Sequence, residues 1–266
     1  MNSAVERAIK LICERYDEPL SLTDAANSAI LSRFHFSRVF KDATGVTPGR
    51  FLSAVRIYEA KRMLLNTEMN VTEIAFAVGY NSLGSFSNHF ADSVGVSPGR
   101  FRRMSHDGRF EIPYTRQQFR AHGTVAGHVT FPREYGSGRV YVGAFDTPIV
   151  QRQPAAAVSI GGHPAASPHR FRLAVVPEGT WFVNAVAVAD NADPEPWTRR
   201  TLLVGRAGPV TVTDGTVVPV RIELHPKLPT DLPILRVLPE LESWQEDVMP
   251  TEDPLADGAV PASPWR

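Results

Sequence analysis

The chain of 266 residues has one cysteine, Cys13. That excludes an internal disulfide and a zinc site built on cysteines. Cys13 falls in an amphipathic helical pattern and reads as a small core residue. No stretch approaches the roughly 20 apolar residues of a membrane span. The first residues, MNSAVERAIKLICERYDEPL, mix acids into the apolar positions and show no cleavable signal pattern, so the chain reads as cytoplasmic. Net charge is also missing, with Lys and Arg at 28 and Asp and Glu at 28. Global charge therefore names no partner. Catalytic signatures are missing too: there is no G-x-S-x-G, no H-E-x-x-H and no phosphate loop. His122, His128, His163, His169 and His225 are scattered over turns and strands rather than gathered as metal ligands. The acidic stretch DNADPEPW, from Asp190 to Trp197, carries Pro194 and Pro196 and lacks calcium-loop spacing, so it reads as a surface loop. No enzyme activity, cofactor or metal is expected.

Charge reappears locally. Residues 1–106 hold 13 Lys and Arg against 10 Asp and Glu, a modestly basic region. The rest is modestly acidic, and from Glu240 to Asp257 there are seven acids and no base. With Pro250 and Pro254 among them, residues 239–266 read as a solvated, disordered acidic tail.

The most informative feature is a repeat. GVTPGRF at 45–51 returns as GVSPGRF at 95–101, fifty residues later. In the same register Phe36 meets Phe86, Ser37 meets Ser87 and Phe40 meets Phe90. Leu22, Ala25, Ala26 and Ala29 have helical spacing and a small-residue face. Ser32 is a good N-cap for a second helix that buries Phe36, Val39, Phe40 and Ala43 and stops at Gly45. Two short helices crossing closely make a helix-turn-helix. The second copy uses Val71, Ile74, Ala75 and Val78, then Gly79 for the turn. Asn81 or Ser82 caps its second helix, which buries Phe86, Phe90 and Val94. Between the copies Pro48 opens a long helix reaching Asn66. Its 18–20 residues span about 27–30 Å, against roughly 34 Å for one turn of B-DNA.

The stretches FHFSRVFKDATGVTPGRFLSAVRIYEAKRMLL and VTEIAFAVGYNSLGSFSNHFADSVGVSPGRFRR resemble the AraC/XylS family of bacterial transcription regulators. The resemblance covers about residues 3–104 and implies sequence-specific binding of double-stranded DNA by two helix-turn-helix units. Most members carry this domain at the C-terminus, so the usual sensor arrangement is not assumed. With Phe36, Val39 and Phe40 inward, the outward residues include Arg33, Phe34, Ser37, Arg38 and Lys41. By resemblance the base-facing positions fall on Phe34, Ser37 and Arg38, with Arg33 beside them. In the second unit Leu83, Gly84, Ser85, Ser87 and Asn88 face outward, and of these Leu83, Ser85, Ser87 and Asn88 are the base-reading candidates. That helix has no Lys or Arg between Asn81 and Asp92, so the first unit is expected to supply most of the discrimination. Phosphate contacts are expected from Ser32, Lys41, Arg50, Lys61, Arg62, Ser82, Arg100, Arg102 and Arg103.

After a connector at 107–123 the period changes to two. Residues 124–131, 139–146, 171–176, 180–190, 210–215 and 216–224 read as strands, so residues 124–238 are expected to form an all-β sandwich. Pro177, Glu178 and Gly179 are expected to make a hairpin turn. Val217, Val220, Ile222 and Leu224 are expected to point inward, with Pro219 marking an edge or bulge. The order G-H-V, V-Y-V, FRLAVVPEGTWFV and VTVTDG resembles the transthyretin-like sandwiches, which include carboxypeptidase-regulatory-like modules. That architecture does not choose among ligand binding, self-association as a homodimer and contact with a partner such as RNA polymerase. Trp181 and Trp197 are candidates to line a pocket. A competing reading makes the chain a carbohydrate- or small-molecule-binding β-sandwich protein with a helical attachment module.

Overall fold

The computed structural model describes residues 3–107, 121–132, 138–162, 168–189, 201–228 and 230–236. The first of these ranges is helical and the others are strand-rich. Trp197, His163 and the acidic tail lie outside the described residues, as does most of the connector.

Seven helices form the first region: α1 (Ser3–Glu14), α2 (Leu22–Ser28), α3 (Arg33–Thr44), α4 (Pro48–Asn66), α5 (Val71–Ala77), α6 (Leu83–Val94) and α7 (Pro98–Asp107). Local chemistry sets their ends. Ser21 with Asp24, and Asn70 with Glu73, form reciprocal capping boxes at α2 and α5, which satisfies two orphan donors at each start. Ser32, Thr47 and Ser82 cap α3, α4 and α6. Gly45 and Gly95 end α3 and α6 in the left-handed conformation. The cores of the two units repeat as well. Phe36, Phe40 and Phe51 stack edge to face at 5.4 and 5.5 Å between ring centres. Phe86, Phe90 and Phe101 repeat the row at 5.7 Å for each pair, tilted in the first and edge to face in the second.

One local difference breaks the repeat. The helices α2 and α5 are both followed by a left-handed residue, which is Gly79 in the second unit but Ile30 in the first. A β-branched residue at φ 59° is strained, and Ile30 is 80% exposed, so no packing compensates it. Gly79 has no such latitude: a Cβ there would lie 2.6 Å from the Asp17 carbonyl oxygen.

The strand-rich region builds two sheets. One has the order β4 (His169–Pro177), β1 (His122–Thr130), β7 (Val217–Glu223). The other has the order β3 (Ala156–Gly162), β2 (Gly138–Phe145), β5 (Gly179–Ala189), β6 (Thr201–Val212), β8 (His225–Pro226). They face each other across Val125, Val129, Leu173 and Ile222 from the first and Val142, Val183, Ala185 and Val212 from the second.

Several expectations need correction. Pro177 to Gly179 is no hairpin: β4 pairs with β1 while β5 pairs with β2 and β6, so the chain changes sheets at Glu178. The inward row of β7 is Val218, Val220, Ile222 and Leu224, and Val217 is 62% exposed. Val220, Ile222 and Leu224 point inward as expected, and Val218 takes the place of Val217 because side chains alternate between faces. Pro219 does sit on an edge strand, where a missing N–H costs no ladder bond. Cys13 is exposed rather than in the core, because α1 turns Ala4, Val5, Ala8, Ile9 and Ile12 inward. Leu22 is 43% exposed, and Ala43 is exposed beside buried Thr44.

Candidate nucleic-acid interface

The helices α3 and α6 leave the same face uncovered. On α3, Arg33, Phe34, His35 and Arg38 are exposed and Ser37 is half-buried. Phe34 is 84% exposed, an unusual position for a large aromatic ring. Arg38 lies 3.4 Å from the His35 ring. On α6, Leu83, Gly84, Ser85 and Asn88 are exposed and Ser87 is half-buried. The caps Ser32 and Ser82 already accept from the backbone N–H groups of His35 and Ser85. The 19 residues of α4 separate the units by a rod of about 28 Å.

The two faces differ in charge. Arg33, Arg38 and Lys41 stand exposed on α3, while the titratable group within α6 nearest its reading face is His89. That ring bonds the Tyr80 hydroxyl at 2.5 Å. Desolvation lowers the His89 pKa, which keeps the imidazole neutral, and raises that of Tyr80 to about 12.

Among the expected phosphate contacts, Lys41, Arg50 and Arg103 are exposed, and Arg62 is exposed but paired with Glu59 at 2.8 Å. Arg100 is half-buried. Lys61 and Arg102 are spent inside the molecule, which corrects their assignment. The Lys61 ammonium donates to the Leu235 carbonyl at 2.7 Å and lies over the Phe101 ring. Burial, with Arg236 nearby, pushes its pKa down to about 7. Arg102 donates to the carbonyls of Leu64 and Thr67, tying α7 to the end of α4.

Lys61 belongs to a joint that sequence reasoning missed. Ile149 and Leu235, from the strand-rich region, are buried in the helical core. Arg152 grips Asp92 on α6 at 2.8 Å and also reaches Asp146 at 3.2 Å, while its N–H donates to the Ser93 carbonyl. Lys227 stands over the Tyr58 ring of α4. The guanidinium of Arg206 packs against Gly45, and that of Arg236 against Gly95. Both arginines therefore meet the C-terminal end of α3 or α6, where the backbone dipole favours a cation. The repeated glycines end the helices and also leave room for these side chains. The strand-rich region thus touches both units at equivalent places, away from the exposed N-terminal halves of α3 and α6. No signal in the sequence marked Arg152, Arg206 and Arg236, which look like surface charges. Trp181 is half-buried against the inter-sheet core, with its indole N–H on the Pro177 carbonyl, and lines no part of this joint.

Comparison with known proteins fits this geometry. A family model described as a helix-turn-helix domain matches residues 25–104. The lactose operon transcription activator of Staphylococcus xylosus is 29% identical over 87 residues, 33% of this chain and 31% of that protein. The transposon Tn10 TetD protein of Escherichia coli is 36% identical over 87 residues, 33% of this chain and 63% of that protein. Among solved structures, the DNA-binding domain of AdpA in complex with a target DNA is 28% identical, with 40% of this chain and 95% of that chain covered and a TM-score of 0.38. The chain spans about a third of the length of the first curated relatives it matches. The helical region of this chain is an AraC-type helix-turn-helix domain of the kind found in DNA-binding transcriptional regulators.

Proposed function

We propose that the chain is a sequence-specific, cytoplasmic transcriptional regulator that inserts α3 and α6 into successive major grooves on one face of a duplex. The observation carrying this reading is the exposed face of α3, where Phe34 and Arg38 stand free of the core and α6 repeats the pose. Arg38 and Arg33 suit guanine edges, Phe34 suits a thymine methyl, and Ser37, Ser85, Ser87 and Asn88 suit single acceptors or donors. Leu83 adds an apolar contact. Ser32 and Ser82 mark helix N-termini aimed at phosphate, and Lys41, Arg50, Arg62, Arg100 and Arg103 flank them. The two-sheet region modulates this reading through its seat on the ends of both helices.

The test is selection of duplexes from a random library by the full-length protein, followed by affinity measurement at two salt concentrations. Two conserved blocks about one helical turn apart, weakened by rising salt, are expected. An unselective pool would overturn the reading.

A further inference from the structure

We propose that the cleft where the end of α3 meets the outer face of the five-stranded sheet is a binding site for a small hydroxylated carboxylate. The cleft has a volume of about 510 Å³ and is lined by Thr44, Asn184, Arg206, Arg221, Glu223 and Asp231, among others. That is the size range of sites for small molecules.

Four polar side chains of the lining, those of Asn184, Arg206, Arg221 and Glu223, have open valences. Asn184 on β5 lies directly opposite Arg206 on β6. Asn184 is 7% exposed, and its amide nitrogen is buried without a hydrogen-bond acceptor. Buried donors in folded proteins almost always have an acceptor, and an unmade bond of this kind is costly. Turning the amide over, which exchanges its near-isosteric N and O, brings this donor to the floor of the cleft, where an oxygen atom completes it. Among the described residues, the side chains of Arg206, Arg221 and Glu223 make no hydrogen bond or ion pair. Asp231 is already used: it accepts from the Leu228 N–H at 2.6 Å and lies 3.7 Å from the His225 ring. Desolvation lowers the pKa of Arg206, only partly offset by Asp231, the direction in which an added anion acts against burial.

These groups select a chemistry. The planar guanidinium of Arg206 matches a carboxylate with two parallel hydrogen bonds, and Arg221 adds a second positive charge. The Asn184 amide asks for a hydroxyl or carbonyl oxygen. Glu223 accepts from a hydroxyl donor, and with Asp231 on the same rim it repels a doubly charged phosphate. A neutral sugar would leave both arginines unmatched.

The site also touches the reading helix. Built on Gly45, a side-chain carbon would lie 3.2 Å from the Arg206 guanidinium, so the same cation faces the cleft and the negative end of α3. A carboxylate that draws Arg206 toward itself changes how α3 is held. This regulatory sense rests on the reading of α3 as a DNA reader, whereas binding itself does not.

The experiment is calorimetric titration of the full-length protein with gluconate, glucuronate, tartrate and malate at millimolar concentration. Glucose and inorganic phosphate run beside them, and DNA affinity is measured on the same samples. At least one hydroxycarboxylate is expected to bind with one-to-one stoichiometry, and Arg206→Gln is expected to weaken it about tenfold or more. Asn184→Leu, which removes the donor at similar volume, is expected to weaken it several-fold while the melting temperature holds or rises. Three results would overturn the site: no heat from any of the four acids, phosphate or glucose binding as tightly as they do, or both variants binding like the parent. If DNA is bound in those cases, the cleft alone fails. If an acid binds but DNA is not bound, the cleft stands and the regulatory sense fails.

Discussion

The two helix-turn-helix units share a backbone and a buried core but present different surfaces. Phe36, Phe40 and Phe51 repeat as Phe86, Phe90 and Phe101 with nearly the same spacing between rings. On the exposed side, α3 carries Arg33, Arg38 and Lys41 where α6 carries Leu83, Asn88 and Ala91. The shared positions hold the helices in a common pose. The unshared positions are those that packing leaves free, so charge can be concentrated on one unit without disturbing the fold.

The comparison can be tested from its strongest element down. Phe40→Ala and Phe90→Ala should each cost about 3–5 kcal/mol in denaturant unfolding, because both rings are fully buried. Unequal costs would show that the cores are not equivalent. Gly79→Ala should cost about 2–3 kcal/mol, since it combines a left-handed backbone with a contact on the Asp17 carbonyl. For DNA affinity, measured by fluorescence anisotropy on a selected duplex, Arg38→Ala should lose about 1–3 kcal/mol and relax base preference. Asn88→Ala should lose less than about 1 kcal/mol; equal losses would remove the asymmetry between the units. Ile30→Gly should raise stability by up to about 1 kcal/mol, because it relieves the strained turn that Gly79 makes freely.

A further prediction concerns pH. Lys61 titrates near about 7 in the folded chain, against about 10.4 when unfolded. Between these values the unfolded chain holds the extra proton, so folding stability rises with pH. The favourable contribution is complete above about pH 10.4 and is lost as pH falls through about 7. Melting temperatures across this window should climb in the parent, with a shallower slope in Lys61→Met.

The helical region was legible because its signals are local. Ser32, Pro48, Gly45 and Gly95 act on their own turn of helix, and the fifty-residue offset doubled every signal. The strands were legible where Val and aromatic residues alternate, as in β2 and β5. They were not legible in β3, whose AAVSIGG sequence is too rich in small residues to announce a strand, nor in the first half of β6, which carries Gly205 and Gly208. The joint between the regions left no periodic trace. It is made by the short segments around Ile149–Arg152 and Leu235–Arg236, and by arginines whose partners lie far away in the chain. The outward-facing residues of α3 and α6 followed from the buried phenylalanines, but the engagement of Lys61 and Arg102 depends on neighbours that sequence spacing does not specify.

Under the proposed function, the grip of Arg152 on Asp92, together with the seats of Arg206 and Arg236, has a consequence for spacing on DNA. Two readers joined only by α4 could swivel by torsion of one helix and tolerate half-sites that differ in separation. Here a second body bridges both, so the pair is triangulated. Inserting one base pair between half-sites turns one block by about 34–36° relative to the other, and a triangulated reader has no soft joint to absorb that rotation. Operators for this protein are therefore expected to hold a fixed spacer length even where their base sequence drifts.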